Sequence, residues 1–276
     1  MCKPESTQAL NLKFNTDLFG AYVARAPLAL AFERVLECRI YTRQLFEPPV
    51  LDIGCGDGLH AKVLFEEKID TGIDPARQEL QRARELDAYA ELIACRGDCI
   101  PKPDGAYRTI FANSVLEHVP NLAPVLKEAH RVLASGGRFY FTVPSSDFER
   151  FTVINLTLEA LGLTAQSMRF RKFFNAFWAH HHAYSAQHWT ELCRDAGFEI
   201  VEAYTFAPMR TCLLNTVLTP FALPAKLIKS VTGRWTLLPG LRGVLLLPLA
   251  NLALPVLRGG ERAADGGLVF VSLRKA

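Results

Sequence analysis

The run VLDIGCGDG at residues 50–58 restricts the possible folds more than any other stretch of this 276-residue chain. Val50 to Ile53 reads as a buried strand, and Gly54 to Gly58 as a turn. His60 to Glu67 follows as a helix, with Ala61, Leu64 and Phe65 at helical spacing. Alternate glycines let the chain turn sharply and let a ligand touch backbone with no Cβ in the way. The helix start behind the turn offers free N–H groups. The spacing is GxGxG with Asp52 at the strand end, not the GxGxxG of a pyrophosphate site. A carboxylate beside the turn suits a zwitterionic or cationic ligand better than a diphosphate.

Strands and helices alternate from there on. Thr71 to Ile73, Leu92 to Cys95, Thr109 to Ala112 and Arg138 to Val143 read as strands, the last closed by Pro144. Arg77 to Asp87 reads as a helix, as does Leu122 to Leu133, which Gly136-Gly137 would end. This order predicts an α/β, Rossmann-like sheet of seven mostly parallel strands with helices on both faces. The last strand, near residues 266–273, is expected to be antiparallel. Such sheets bind ligands at the carboxyl ends of their strands, where the strand order reverses. The chain divides into an N-terminal helical cap (1–47), the sheet domain (48–206 and 263–276) and a hydrophobic helical insertion (207–262).

Each strand end carries a polar residue that a ligand could use. Asp74, in TGIDPA, can accept two hydrogen bonds from a ribose diol, or simply cap the helix behind Pro75. Asp98, in RGDCIP, can meet an adenine amino group or serve as a turn aspartate. In FANSVLEHVPN, residues 111–121, Asn113 sits where the loop meets the ligand, with Glu117 and His118 on the short helix beyond.

VLDIGCGDG, GIDPA, RGD, FANSVLEHVPN and LKEAHRVLASGGRFYFTVP resemble, in order and spacing, the successive motifs of the class I S-adenosylmethionine-dependent methyltransferases. The resemblance points to the broad subgroup that includes ubiquinone, menaquinone and small-molecule methyltransferases. It implies S-adenosylmethionine as cofactor, with Asp52, Gly54 and Gly56 around its methionine part and Asp74 on its ribose. Asp98 and the Cys99 backbone would hold adenine, and Asn113 would line the sulfonium region. Cys55, Pro75 and Ser114 complete the set as neighbours. Ser135 stands where the family often has proline.

The sulfonium brings its own leaving group, so the protein has to align an acceptor and exclude water. A hydroxyl or acidic carbon acceptor also wants a general base. His118 and the run His180-His181-His182 are the candidates, with His118, His182 and His181 taken as the catalytic set. Consecutive histidines rarely point the same way, so no metal site is expected.

The net charge of +3 is too small for a nucleic-acid binder, and no basic stripe with interleaved aromatics appears. The seven scattered cysteines form no CxxC pair and read as reduced thiols. MCKPESTQ has no signal-peptide core, so a cytoplasmic location is expected. Ala203 to Gly260 contains six basic residues and no Asp or Glu, with GVLLLPLANLALPVL near its end. This 15-residue run is short for a span. It suits an anchor on the anionic inner face of a membrane, a lid over an apolar acceptor pocket, or a homodimer contact. All three point to a small or lipid-linked acceptor such as a quinone, a polyketide-like compound or a glycolipid sugar. A cofactor-binding regulatory subunit without turnover, or a protein or RNA methyltransferase, is the alternative.

Overall fold

Branched, wholly buried side chains make β1 (Val50–Ile53) a central strand, paired in parallel with β2 (Ile69–Ile73) and β4 (Tyr107–Asn113). The structure is a computed structural model that describes residues 11–276. MCKPESTQ and Cys2 lie outside the described residues. With β3 (Tyr89–Ile93), β5 (Leu133–Pro144), β6 (Glu199–Pro208) and β7 (Gly266–Arg274) the sheet runs β3-β2-β1-β4-β5-β7-β6. Only β7 is antiparallel to its neighbours. This is the Rossmann-like arrangement expected, and its order reverses between β1 and β4.

Side-chain alternation splits the core into two layers. In β5, Tyr140 faces the layer shared with Tyr41, Phe46, Phe65 and Phe111. Phe139 and Phe141 face the opposite layer with Trp189 and Val271. Helices α3 (Leu59–Leu64) and α4 (Arg77–Leu86) cover the first face; α5 (Leu122–Val132) and α8 (Ala186–Asp195) cover the second. The N-terminal α1 (Leu18–Arg25) and α2 (Leu28–Tyr41) join the first layer, and eight of the fourteen residues of α2 are buried.

Several boundaries differ from the sequence reading. The helix after the glycine turn ends at Leu64, because Phe65 leaves it to pack on Phe14 and Phe46, with ring centroids 5.5 and 5.1 Å apart. Gly136-Gly137 does not stop α5, which ends at Val132. The pair lies inside β5, where a Cβ on Gly137 would come within 2.9 Å of the Arg108 carbonyl. The third strand spans Tyr89–Ile93, earlier than Leu92 to Cys95. Two helices not anticipated, α6 (Val153–Ala160) and α7 (Thr164–Phe177), follow β5.

The late insertion is helical: α9 (Met209–Leu218), α10 (Leu223–Thr232) and α11 (Pro239–Ala253), joined and ended by short 3₁₀ turns. Its continuous helical stretches, Met209–Thr232 and Pro239–Leu257, are long and apolar enough to cross a membrane by length and composition. The 15-residue estimate therefore undercounts them. They also hold to the N-terminal helices and to the sheet domain. Arg242 donates to the Val23 and Ala26 carbonyls, Lys229 pairs with Asp57, and Arg234 pairs with Glu85.

Candidate active site

The glycine turn carries Gly54, Gly56 and Gly58 at φ +73°, +52° and +76°, backbone that side chains other than glycine rarely tolerate. A Cβ on Gly54 would sit 2.5 Å from Val115 Cγ1, whereas one on Gly56 would meet nothing within 4 Å. The turn is thus braced on one side and bare on the other. The N–H groups of Gly54 and Cys55 donate to the Ile73 carbonyl at 2.8 and 2.9 Å, tying the turn to the end of β2. Asp74 follows at once. Its Oδ2 accepts from Gly56 N at 3.1 Å and its Oδ1 from Ala76 N at 2.7 Å. The carboxylate fastens the turn and the residue that leads into α4, and each oxygen keeps a second lone pair. Burial raises its pKa against the pull of those two N–H groups.

A cleft of about 570 Å³ opens beside this turn at the strand carboxyl ends. Gly54, Asp74, Pro75, Asp98, Ser114 and His118 line it, with Ile53, Val115 and Val125 as apolar wall. A bare turn, a half-buried carboxylate and apolar sides fit a cationic nucleoside thioether such as S-adenosylmethionine. Asp98 is gripped by Arg96 at 3.1 and 2.7 Å, which holds its carboxyl below the usual range.

The remaining predicted cofactor residues, Asp52, Cys55, Gly56, Cys99 and Asn113, do not line this cleft, and Cys99 is exposed. Asp52 is buried under the turn and accepts from Tyr89 Oη at 2.7 Å; burial pushes its pKa up to about 8. Cys55 is buried, and the Cys99 N–H is already given to the Arg96 carbonyl at 3.2 Å. Asn113 turns inward. Its Nδ2 donates to Glu37 and its Oδ1 accepts from Thr142, each at 3.0 Å. The neighbouring Ser114, at φ +51°, lines the cleft, although its hydroxyl also turns to Glu37.

Of the predicted histidines, only His118 lines the cleft. Its Nδ1 lies 3.1 Å from the Ala179 carbonyl, which fixes the hydrogen there and leaves Nε2 as a lone pair. Burial lowers its pKa, which favours the neutral imidazole. His182 has both nitrogens committed, Nε2 to the Val119 carbonyl and Nδ1 to Tyr184 Oη, each at 2.9 Å. It staples the two loops together. His181 is exposed and points elsewhere, its backbone N–H given to the Glu117 carbonyl. His180, in contrast, packs against His118 with ring centroids 5.4 Å apart.

A family model described as a methyltransferase domain matches residues 23–203. The chain belongs to the S-adenosylmethionine-dependent methyltransferases. Among curated relatives, a ubiquinone biosynthesis O-methyltransferase of Vibrio atlanticus is 29% identical over 119 residues, 40% of this chain and 49% of that one. A sarcosine/dimethylglycine N-methyltransferase of Halorhodospira halochloris is 32% identical over 129 residues, 43% of this chain and 46% of that one. Both matches span less than half of those relatives' length. A solved methyltransferase of Thermotoga maritima shares the fold, with a TM-score of 0.56 at 17% identity over 90% of this chain and 92% of that one.

This methyltransferase also carries a buried charge network that the sequence reading missed. Arg34 and Glu37, on α2, pair at 2.6 Å. Glu37 is fully buried and accepts further from Asn113, Ser114 and Thr142, each at 3.0 Å. Arg34 also donates to Ser114 Oγ, so a cation stands behind a residue of the cleft wall. The only signal was the acid–base–acid pattern Glu33, Arg34, Glu37 inside an apolar helix. Arg34 and Glu37 reach the end of β4, and Glu33 accepts from Asn215 of α9 at 3.1 Å.

Proposed function

We propose that this methyltransferase carries the methyl group of S-adenosylmethionine to a hydroxyl oxygen of a small or lipid-linked acceptor, such as a quinone-type ring, a polyketide-like phenol or a glycolipid sugar. The observation behind this reading is His118 Nε2, a neutral lone pair at the edge of the same cleft that Asp74 closes. The bound cofactor supplies an electrophilic methyl with its leaving group attached. Asp74 takes the ribose diol, and the bare backbone at Gly56 admits the methionine part. Arg34, paired with Glu37, donates to Ser114 Oγ and holds that residue in the cleft wall. The Ala179 carbonyl keeps His118 in the tautomer that can receive the acceptor's proton.

Labelled S-adenosylmethionine incubated with host lipid and metabolite extracts tests this directly, by the appearance of a labelled acceptor. His118→Gln is expected to lower turnover by roughly 10²–10⁴-fold while leaving S-adenosylhomocysteine affinity unchanged. His182→Gln is expected to lower the melting temperature and spare turnover. Full turnover in His118→Gln would remove that residue from the chemistry. Cofactor binding without any acceptor product would favour a regulatory subunit.

The insertion supports a second part of the reading, contact with a bilayer surface. Phe221, Val231, Val244 and Leu252 are each at least 75% exposed. An apolar surface of this extent wants a cover. The basic residues contribute less than composition suggests. Arg210 is spent on the Val256 and Arg258 carbonyls, Lys226 lies over the Phe177 ring, and Lys229 and Arg234 pair with acids of the sheet domain. Insertion of apolar side chains, not attraction to anionic headgroups, is therefore the expected driving force. The protein should sediment with neutral and anionic vesicles alike, and a Val244→Asp/Leu252→Asp variant should stay in the supernatant. A stable dimer without vesicle binding would assign the same face to a second copy of the chain.

A further inference from the structure

Three side chains from two loops meet around His118, which alone of them lines the cleft: Glu117 and His118 from the 3₁₀ turn Leu116–His118, and His180 from the loop after α7. One ligating atom from each lies within 4.8 Å of the other two, the sole such grouping among the described residues. Glu117 Oε1 is 3.7 Å from His118 Nε2. A tetrahedral ion with bonds of about 2.0–2.1 Å separates its ligand atoms by roughly 3.3 Å, so small side-chain rotations close the set.

Two of these residues also carry a buried polar atom with nothing to bind. Glu117 is 1% exposed, and its Oε2 has no hydrogen-bond partner; His180 Nδ1 is likewise buried and unpartnered. Leaving such groups unsatisfied in the interior costs stability, and a fold that keeps them calls for a reason. The third ligand is already oriented. The Nδ1–H of His118 goes to the Ala179 carbonyl, the usual outer support of a metal-binding imidazole, and Nε2 is left facing Glu117. Backbone hydrogen bonds hold the frame. His180 N donates to the Asn175 carbonyl at 2.8 Å, and His181 N to the Glu117 carbonyl at 2.8 Å. Ala179 sits at φ +54° to make the bend.

We propose that Glu117, His118 and His180 bind a divalent transition-metal ion of the zinc type, with a coordination position open to the acceptor. Two imidazoles and one carboxylate suit zinc, cobalt, iron or manganese; calcium and magnesium prefer sets of oxygens. The inference rests on the hydroxyl-methylation reading above and gives its acceptor a chemical class, a hydroxyl that an ion can orient and acidify. With the ion bound, His118 Nε2 is a ligand and no longer the base, so the acceptor hydroxyl, acidified by the ion, releases its proton to solvent, and its oxygen forms the new bond to the methyl carbon. The carbon–sulfur electron pair returns to sulfur, and the ion is neither oxidised nor reduced.

The test uses the full chain, stripped with a chelator and titrated with zinc chloride by calorimetry and with cobalt chloride by visible absorption. One ion per chain is expected, with cobalt bands of a low-coordinate nitrogen–oxygen site. Glu117→Gln and His180→Ala should each weaken binding by more than the roughly 10–100-fold that follows loss of an outer support. His188→Ala, an exposed histidine away from the cluster, should bind like the parent. Absence of stoichiometric binding in the parent, or undiminished binding in both cluster variants, overturns the proposal. S-adenosylhomocysteine titrated into the same samples keeps the two readings apart. Intact nucleoside binding without metal binding removes the ion alone, and metal binding without nucleoside binding removes the function reading alone.

Discussion

Glu37→Ala is expected to lower the melting temperature by roughly 6–20 °C, taking about 3–5 kcal/mol for a broken buried pair and about 2–4 °C per kcal/mol for a domain of this size. The substitution strips the Arg34 guanidinium of its carboxylate and leaves Asn113, Ser114 and Thr142 without their common acceptor. Glu37→Gln keeps the shape and some of those contacts and should lose less. Thermal melts followed by circular dichroism decide the matter, and an unshifted midpoint would show that the pair contributes nothing. The pH dependence has a definite sign. Burial pushes the Glu37 carboxyl up, but the Arg34 charge and the surrounding donors bring it below its usual 4.5. Its folded pKa is depressed, so its contribution is complete above the unfolded value and fades as pH falls through the folded one. Glu37→Gln should flatten that acid limb.

Gly54→Ala is expected to weaken S-adenosylhomocysteine binding by about 5- to 30-fold, since a left-handed residue with a Cβ costs about 1–2 kcal/mol and each 1.4 kcal/mol is tenfold. The new methyl would also collide with Val115, at 2.5 and 2.6 Å from its two Cγ atoms. Val115 opens the loop that carries Glu117 and His118, so the collision displaces the cofactor turn and the acceptor rim together. A second substitution, Val115→Ala, should recover part of the lost affinity by removing the clash, though not the backbone strain. Calorimetry on the parent, the single and the double variant measures all three. Parent-like affinity in Gly54→Ala would mean that the turn does not cradle the nucleoside.

The contrast between Asp74 and Asn113 shows where a linear reading works. Both were placed at strand ends beside the ligand, and Asp74 does line the cleft while Asn113 points at Glu37. Asp74 is aimed by its own neighbours, the Gly56 and Ala76 N–H groups, within the reach of one turn. Asn113 is aimed by a helix 76 residues away, and no local pattern encodes that. The histidine run behaves likewise. Three adjacent imidazoles are indistinguishable in sequence, yet the bend at Ala179 sends His180 to His118, ties His182 to Val119 and leaves His181 outside.

Strand alternation, the glycine turn and the place of the Asp74 carboxylate were therefore set by the order of residues, because side-chain period and backbone freedom are properties of a few consecutive positions. The Arg34–Glu37 pair, the gathering of Glu117, His118 and His180, and the inward use of the insertion's basic residues were settled only by folding. Each depends on atoms distant in the chain being brought within hydrogen-bonding or ion-pair range, and that proximity comes from packing across the whole sheet.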